Sequence, residues 1–194
     1  MKILFLSLGC DKNLVDSEVM LGMLTSRGYE ITDDENEADI IVINTCCFIH
    51  DAMEESIQNI LDMAEYKKNG KAKALIVAGC LAQRYRQEIL DEIPEVDEVL
   101  GTTAIDQIIR AVDQALEGRK EVILSDLNAL PLPETRRAVS TGGHFAYLKI
   151  AEGCDKHCTY CIIPKLRGSY RSVPMEHLLK EARDLADQGV KELI

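Results

Sequence analysis

Asp39-Ile40-Ile41-Val42-Ile43-Asn44-Thr45-Cys46 holds an uninterrupted β-branched apolar run, Ile40–Ile43, that closes on two small polar residues and a cysteine. A run with no polar alternation is buried on both faces, as in an interior strand of a parallel sheet covered by helices. Working outward, Lys2–Leu8 and Ala74–Ala78 have the same character, and each is followed by Gly-Cys: Gly9-Cys10 and Gly79-Cys80. Tyr29–Thr32, Val96–Leu100 and Val122–Leu124 read as shorter strands. Between them lie helix-like stretches: Asn13–Arg27 stopping at Gly28, His50–Lys68 ended by Asn69-Gly70, Tyr85–Glu92 ending at Pro94, and Ile105–Leu116 closed by Gly118. Alternating β and α segments predict a doubly wound α/β domain, a mainly parallel sheet with helices on both faces, over residues 1–125.

Residues 126–143 change character, with Pro131, Pro133, Ser140, Thr141 and Gly142-Gly143 and few large apolar side chains; they read as a linker. A second αβ pattern starts at 144. His144–Ile150 reads as a strand and a cysteine-rich loop follows. Pro174–Gln188 reads as a helix with Pro174 at its first position and Gly189 beyond its end, and Val190–Ile194 as the next strand.

Composition bounds the function. Of 194 residues 46% are hydrophobic, which supports a packed core. Thirty-three acidic against 22 basic residues give a formal charge of −11, which argues against bulk electrostatic binding of nucleic acid. No apolar run has the ~18 residues of a membrane span. The run Ile3–Leu8 is too short for a signal peptide, and charged Asp11 and Lys12 follow it. The expected location is the cytoplasm, where thiols stay reduced and clustered cysteines bind metal or do chemistry.

There are seven cysteines. Cys10, Cys46 and Cys80 each fall just past the carboxyl end of an expected strand. In a parallel sheet those ends share the edge where open α/β folds bind ligands, so three distant thiolates can converge on one metal site. Gly9 and Gly79 would let backbone approach a bulky inorganic group. The bland alternative is a buried small hydrophobe at each position. Cys47, next to Cys46, points elsewhere and reads as structural filler.

Cys154, Cys158 and Cys161 are spaced C-x3-C-x2-C on one loop. Three thiolates so placed can hold three irons of a cubane cluster and leave the fourth open. The competing reading is a zinc site completed by His157, although structural zinc favours paired C-x2-C units. His50, His144 and His177 form no motif with one another. Lys165, Arg167 and Arg171 read either as a small phosphate- or substrate-contacting patch or as a solvated loop face.

C-x3-C-x2-C with an aromatic before the last cysteine, following a strand, resembles the radical S-adenosylmethionine enzymes. The three-cysteine α/β domain in front resembles their methylthiotransferase family. The resemblance rests on Leu8-Gly9-Cys10-Asp11-Lys12-Asn13-Leu14-Val15-Asp16-Ser17-Glu18, Asn44-Thr45-Cys46, Ala78-Gly79-Cys80, and Glu152-Gly153-Cys154 through Cys161 with Ile162-Ile163-Pro164 and Arg167-Gly168. The Gly-Cys-x-Lys-Asn-x-Val-Asp-Ser-Glu stretch is similar to the branch called RimO, which methylthiolates an aspartate β-carbon of ribosomal protein S twelve. The tRNA-modifying branch usually has Gln-Met where Asp11-Lys12 stand here.

The resemblance implies a transferase with two 4Fe–4S clusters and S-adenosyl-L-methionine. Cys154, Cys158 and Cys161 would hold the cluster that binds and reductively cleaves S-adenosylmethionine. Tyr160 would lie near its adenine through backbone, or else pack under the loop. Cys10, Cys46 and Cys80 would hold the second cluster, which delivers sulfur. Lys12 and Asn13 would line that site, or Asn13 would only cap the helix that follows. The implied partners are a small-subunit ribosomal protein and a flavodoxin- or ferredoxin-like electron donor, with no membrane. Two rivals stay open: a tRNA adenosine methylthiotransferase, and a non-catalytic iron–sulfur binding module.

Two departures stand out. Cys47 sits where the family often has Gly. Residues 144–194 are only the beginning of a (β/α) barrel that takes about 200 residues or more. The chain is therefore expected to be part of a longer protein and inactive alone.

Overall fold

The computed structural model describes residues 1–129 and 137–194. Pro131 and Pro133 of the expected linker lie outside the described residues.

The predicted parallel sheet is present with six strands: β1 (Lys2–Ser7), β2 (Glu30–Thr32), β3 (Ile40–Thr45), β4 (Ala74–Gly79), β5 (Glu98–Leu100) and β6 (Glu121–Ile123). Their spatial order is β2-β1-β3-β4-β5-β6, and every neighbouring pair is parallel. All twelve residues of β3 and β4 are buried, so the apolar runs are the interior strands.

Successive side chains leave a strand on opposite faces, and two cores result. Leu4, Ile41, Ile43, Leu75, Val77 and Val99 pack with Ile60 and Met63 of α2 (His50–Asn69), Leu81 of α3 (Cys80–Tyr85) and Ile89 of α4 (Gln87–Glu92). Ile3, Ile40, Val42, Ile76 and Leu100 pack with Met20 and Leu24 of α1 (Asp11–Ser26) and with Ile108 and Val112 of α5 (Ile108–Leu116). The sheet is thus doubly wound.

The helix expected over Tyr85–Glu92 is α4, which starts at Gln87, and the short helix α3 before it was not expected. Arg86 separates them, held at φ +49. The expected α5 start at Ile105 is a single 3-10 turn, Ile105–Gln107.

Past residue 143 the strand expected over His144–Ile150 shortens to β7 (Phe145–Ala146). It pairs in parallel with β10 (Glu192–Leu193) across α7 (Met175–Asp187). Pro174 is the N-cap of α7 rather than its first residue. Two features were not expected. β8 (Ala151–Glu152) and β9 (Arg171–Ser172) form an antiparallel pair, and α6 (Ile163–Arg167) lies between them. The cysteine loop and α6 therefore hang from one narrow hairpin base. Ala146, Leu185 and Val190 make a core of their own beneath α7, while Leu166 of α6 joins the α3 side of the main core. No helix among the described residues is long and apolar enough to cross a membrane.

Candidate metal centre

Strands β1, β3 and β4 are neighbours, so the residues that leave their carboxyl ends meet on one edge. Cys10 is the exposed N-cap of α1, Cys46 follows β3 and is buried, and Cys80 opens α3 and is buried. The loops are drawn together by backbone that only glycine allows. Gly9 has φ +92, and a Cβ there would lie 2.5 Å from the Cys46 Cβ and 2.9 Å from its Sγ. Gly79 has φ +91, and its Cβ would lie 2.3 Å from Asn44 Oδ1 and 2.6 Å from the Thr45 carbonyl oxygen.

Asn13 is the third residue of α1, not its cap. Its Nδ2 donates to the carbonyls of Leu8 (3.0 Å) and Thr45 (2.8 Å), which clips the β1 and β3 loops together. Asn44 Nδ2 donates to the Asn13 carbonyl (2.9 Å) and to Ser17 Oγ (2.9 Å), while its buried Oδ1 has no hydrogen-bond partner. Ser56 Oγ of α2 accepts from the Cys46 N–H (3.0 Å) and donates to its carbonyl (2.8 Å), which fixes the backbone of that cysteine.

Burial pushes the Cys80 thiol up to about 11, with the Arg167 guanidinium pulling the other way. Burial also raises Cys47, against the attraction of Arg84. Cys47 belongs to the apolar core on the α2 side, the filler role expected of it.

A second set of residues meets the first from the far end of the chain. Arg167 is 3% exposed. Its Nη1 donates to Asp16 Oδ2 (2.6 Å) and Glu152 Oε2 (3.1 Å), and its Nη2 donates to Asn13 Oδ1 and lies 3.6 Å from Cys80 Sγ. The loop-face and patch readings of Arg167 are both overturned: it is an interior cation between two carboxylates and a thiol. Lys165 stays exposed, and Arg171 donates to the carbonyls of Ala129, Arg167 and Ser169.

Lys149 pairs with Asp16 and Glu152. Burial alone would raise the Glu152 carboxyl, but Arg167, Lys149 and Lys12 together hold it down at about 2. Lys12 donates to the Ala151 carbonyl (2.9 Å), so it faces the hairpin base rather than the thiols. A separate buried pair, Glu18 with Arg137 (2.6 Å), ties α1 to the segment entering β7, and the Ser140 N–H and hydroxyl both donate to Glu18 Oε1.

The four consecutive residues Val15–Glu18 are all buried. Four in a row span more than one face of a helix, so α1 is covered by residues 137–152 and by Arg167 as well as by its own sheet. That polar buried run is the signal that composition alone did not reveal.

In the second cysteine group Cys154 and Cys161 are half-buried and Cys158 is exposed. The Cys154 N–H donates to the Gly168 carbonyl (3.0 Å) and the Cys161 N–H to the Cys158 carbonyl (3.1 Å). Gly153 lets the loop press on residues 168 and 169: a Cβ there would lie 2.0 Å from the Ser169 oxygen. Tyr160 is 89% exposed, so its ring does not pack under the loop.

Among the described residues neither cysteine group brings three ligand atoms within 4.8 Å of one another, with or without His157. One tetrahedral ion with sulfur at 2.3 Å needs them about 3.8 Å apart. Ligands of a cubane sit on separate irons and stand further from each other. Soft thiolates on a glycine-opened edge suit such a cluster. A set does close within 4.8 Å at His50, Asp51 and Glu54, all exposed at the start of α2.

Residues 2–101 match the model of a family described as "Uncharacterized protein family UPF0004". The chain belongs to this family. The UPF0004 match contains Cys10, Cys46 and Cys80 with Asn13 and Ser56, whereas Cys154, Cys158 and Cys161 lie beyond it. Over all 194 residues the chain is 65% identical to the ribosomal protein uS12 methylthiotransferase RimO of Lachnoclostridium phytofermentans. It is 52% identical over 193 residues to the protein of that name from Pelotomaculum thermopropionicum, and 50% identical over 194 residues to that from Clostridioides difficile. Each alignment covers the whole chain and 44% of the relative, so this UPF0004 chain spans less than half the length of those proteins.

Proposed function

We propose that this chain is the amino-terminal part of a radical S-adenosylmethionine methylthiotransferase that adds a methylthio group to an aspartate β-carbon of ribosomal protein uS12. The observation that carries this reading is identity of 65% along the whole chain with a relative of that name. The convergence of three cysteine-bearing strand ends on one edge supports it.

Residues 1–125 would form the α/β domain, 126–143 the linker and 144–194 the start of the barrel. Cys10, Cys46 and Cys80 would hold one 4Fe–4S cluster, and Cys154, Cys158 and Cys161 the other with S-adenosylmethionine at its open iron. When bound, these groups supply reductive sulfonium cleavage, radical hydrogen abstraction and sulfur delivery.

The chain's own residues do the holding. Gly9 and Gly79 keep side chains out of the approach to the first site. Asn13 and Ser56 fix the loops that carry its thiols. Ligation requires the buried Cys80 to lose its proton, so metal loading would release protons and weaken as pH falls. Gly153 packs the second cysteine loop on residues 168 and 169, and Gly168 packs against Leu127 and Asn128. Exposed Tyr160 would offer its backbone, not a packed ring, toward adenine.

The net charge of −11 suits a basic ribosomal-protein substrate better than tRNA. The work would be cytoplasmic, with a flavodoxin- or ferredoxin-like donor supplying electrons. The test uses the chain extended to the length of its relatives, reduced and supplied with S-adenosylmethionine. Methylthiolation of uS12 at aspartate is expected. Modification of tRNA adenosine instead, or no S-adenosylmethionine cleavage at all, would overturn the proposal.

A further inference from the structure

Arg167 reaches from the segment after the second cysteine group to the Cys80 thiol of the first. Its guanidinium is interior and held in a fixed orientation. Asp16 and Glu152 receive Nη1, and the Asn13 side chain receives Nη2. With two carboxylates and an amide fixing the fork, the remaining direction of Nη2 is toward Cys80 Sγ at 3.6 Å. The next residue, Gly168, offers its carbonyl to the Cys154 N–H at 3.0 Å. Gly168 cannot carry a side chain, because φ is +74 and a Cβ would lie 2.5 Å from the Leu127 oxygen. One residue back, the Leu166 carbonyl accepts from buried Thr102 Oγ1 at 2.6 Å. Three consecutive residues therefore clamp α6 to the first domain, hold the first cysteine of the second group, and aim a donor at the third thiol of the first.

Ion pairing alone would not require this arrangement. A lysine satisfies two carboxylates as a point charge, whereas the planar guanidinium adds directed donors. Nor is Arg167 a bare structural counter-ion, because Lys149 already pairs with both Asp16 and Glu152. What Arg167 adds is the contact with Asn13, which clips the β1 and β3 loops, and the contact with the Cys80 sulfur.

We propose that Arg167 is a positioning residue for the Cys10, Cys46 and Cys80 site. It donates an N–H···S hydrogen bond to Cys80 and thereby raises the reduction potential of the cluster held there. This rests on the reading that those three cysteines ligate a cluster. Hydrogen bonds to ligating sulfur are among the determinants of cluster potential. A donor and a positive charge at the sulfur favour the reduced state, which carries one more negative charge. Removing them makes the cluster harder to reduce.

The experiment isolates the first site by replacing Cys154, Cys158 and Cys161 with alanine in the anaerobically reconstituted chain. Iron and sulfide are counted first, and then the midpoint potential is measured by a redox titration followed by electron paramagnetic resonance. Arg167→Gln is expected to keep the iron of its parent and to shift the potential to more negative values. Arg167→Lys keeps a cation for the carboxylates but loses the fork, and it is expected to shift the potential the same way by less. Should Arg167→Gln lose the far-UV circular dichroism of the folded chain, Arg167→Lys alone carries the test. An unchanged potential in a folded, iron-loaded Arg167 variant overturns the inference and leaves the metal site standing. Absence of iron in the parent overturns the metal site itself.

Discussion

Glu98 gives the sharpest stability prediction. It lies on β5 between Ile76 of β4 and Glu121 of β6, is fully buried, and neither carboxyl oxygen has a hydrogen-bond partner. Burial, then the charges of Glu121 and Asp97, push its carboxyl from 4.5 up to about 8, with Arg110 opposing. The folded state thus binds this proton more tightly than the unfolded chain does. Its contribution to stability is complete below pH 4.5 and is lost as pH rises through about 8. At about 1.4 kcal/mol per unit, the whole loss is on the order of 5 kcal/mol. Glu98→Gln keeps the shape and removes the titration. Groups common to both proteins cancel, so the stability difference between variant and wild type isolates this carboxyl. That difference should move in favour of the variant by roughly 1.4 kcal/mol per pH unit between pH 5 and 8. Any cost of burying the amide adds equally at every pH and leaves the slope alone. Urea unfolding at pH 5.5, 6.5 and 7.5, with unchanged m-value, reads it directly. A pH-independent difference would refute the reasoning.

Other substitutions test the frame around the thiols. Gly79→Ala puts a methyl 2.3 Å from Asn44 Oδ1 at φ +91 and should cost about 3 kcal/mol or more in urea unfolding. Cys47→Ala removes a core thiol, and it should lower stability by about 1 kcal/mol while leaving the bound iron per chain unchanged. Arg137→Ala strands the Glu18 carboxylate, since both partners are nearly fully buried. It should cost roughly 3–5 kcal/mol, read as a lower urea midpoint.

The sheet was legible because β3 and β4 are buried on both faces, and a strand with no solvent face carries no polar residues to confuse its pattern. The positions of Cys10, Cys46 and Cys80 followed from the same logic, since strand ends in a parallel sheet share an edge. The break at Arg86 was hidden because a non-glycine residue at φ +49 is set by packing on either side, not by its own preference. Helix α6 was hidden because it is only five residues long and directly follows the cysteine-rich loop, although proline suits a first helical turn. Arg167, Asp16 and Glu18 were hidden for a different reason. A charged residue is read as solvated by default, and what buries these three is a segment over a hundred residues away.

The most direct test of the two-site account is the content of iron, zinc and acid-labile sulfide per chain after anaerobic reconstitution. It is measured on wild type and on the Cys154→Ala/Cys158→Ala/Cys161→Ala variant. Two independent cubane clusters predict about eight irons with matching sulfide, falling to about four in the variant. Zinc without sulfide, or about four irons that vanish in the variant, would contradict it, because in neither case would Cys10, Cys46 and Cys80 hold a cluster of their own.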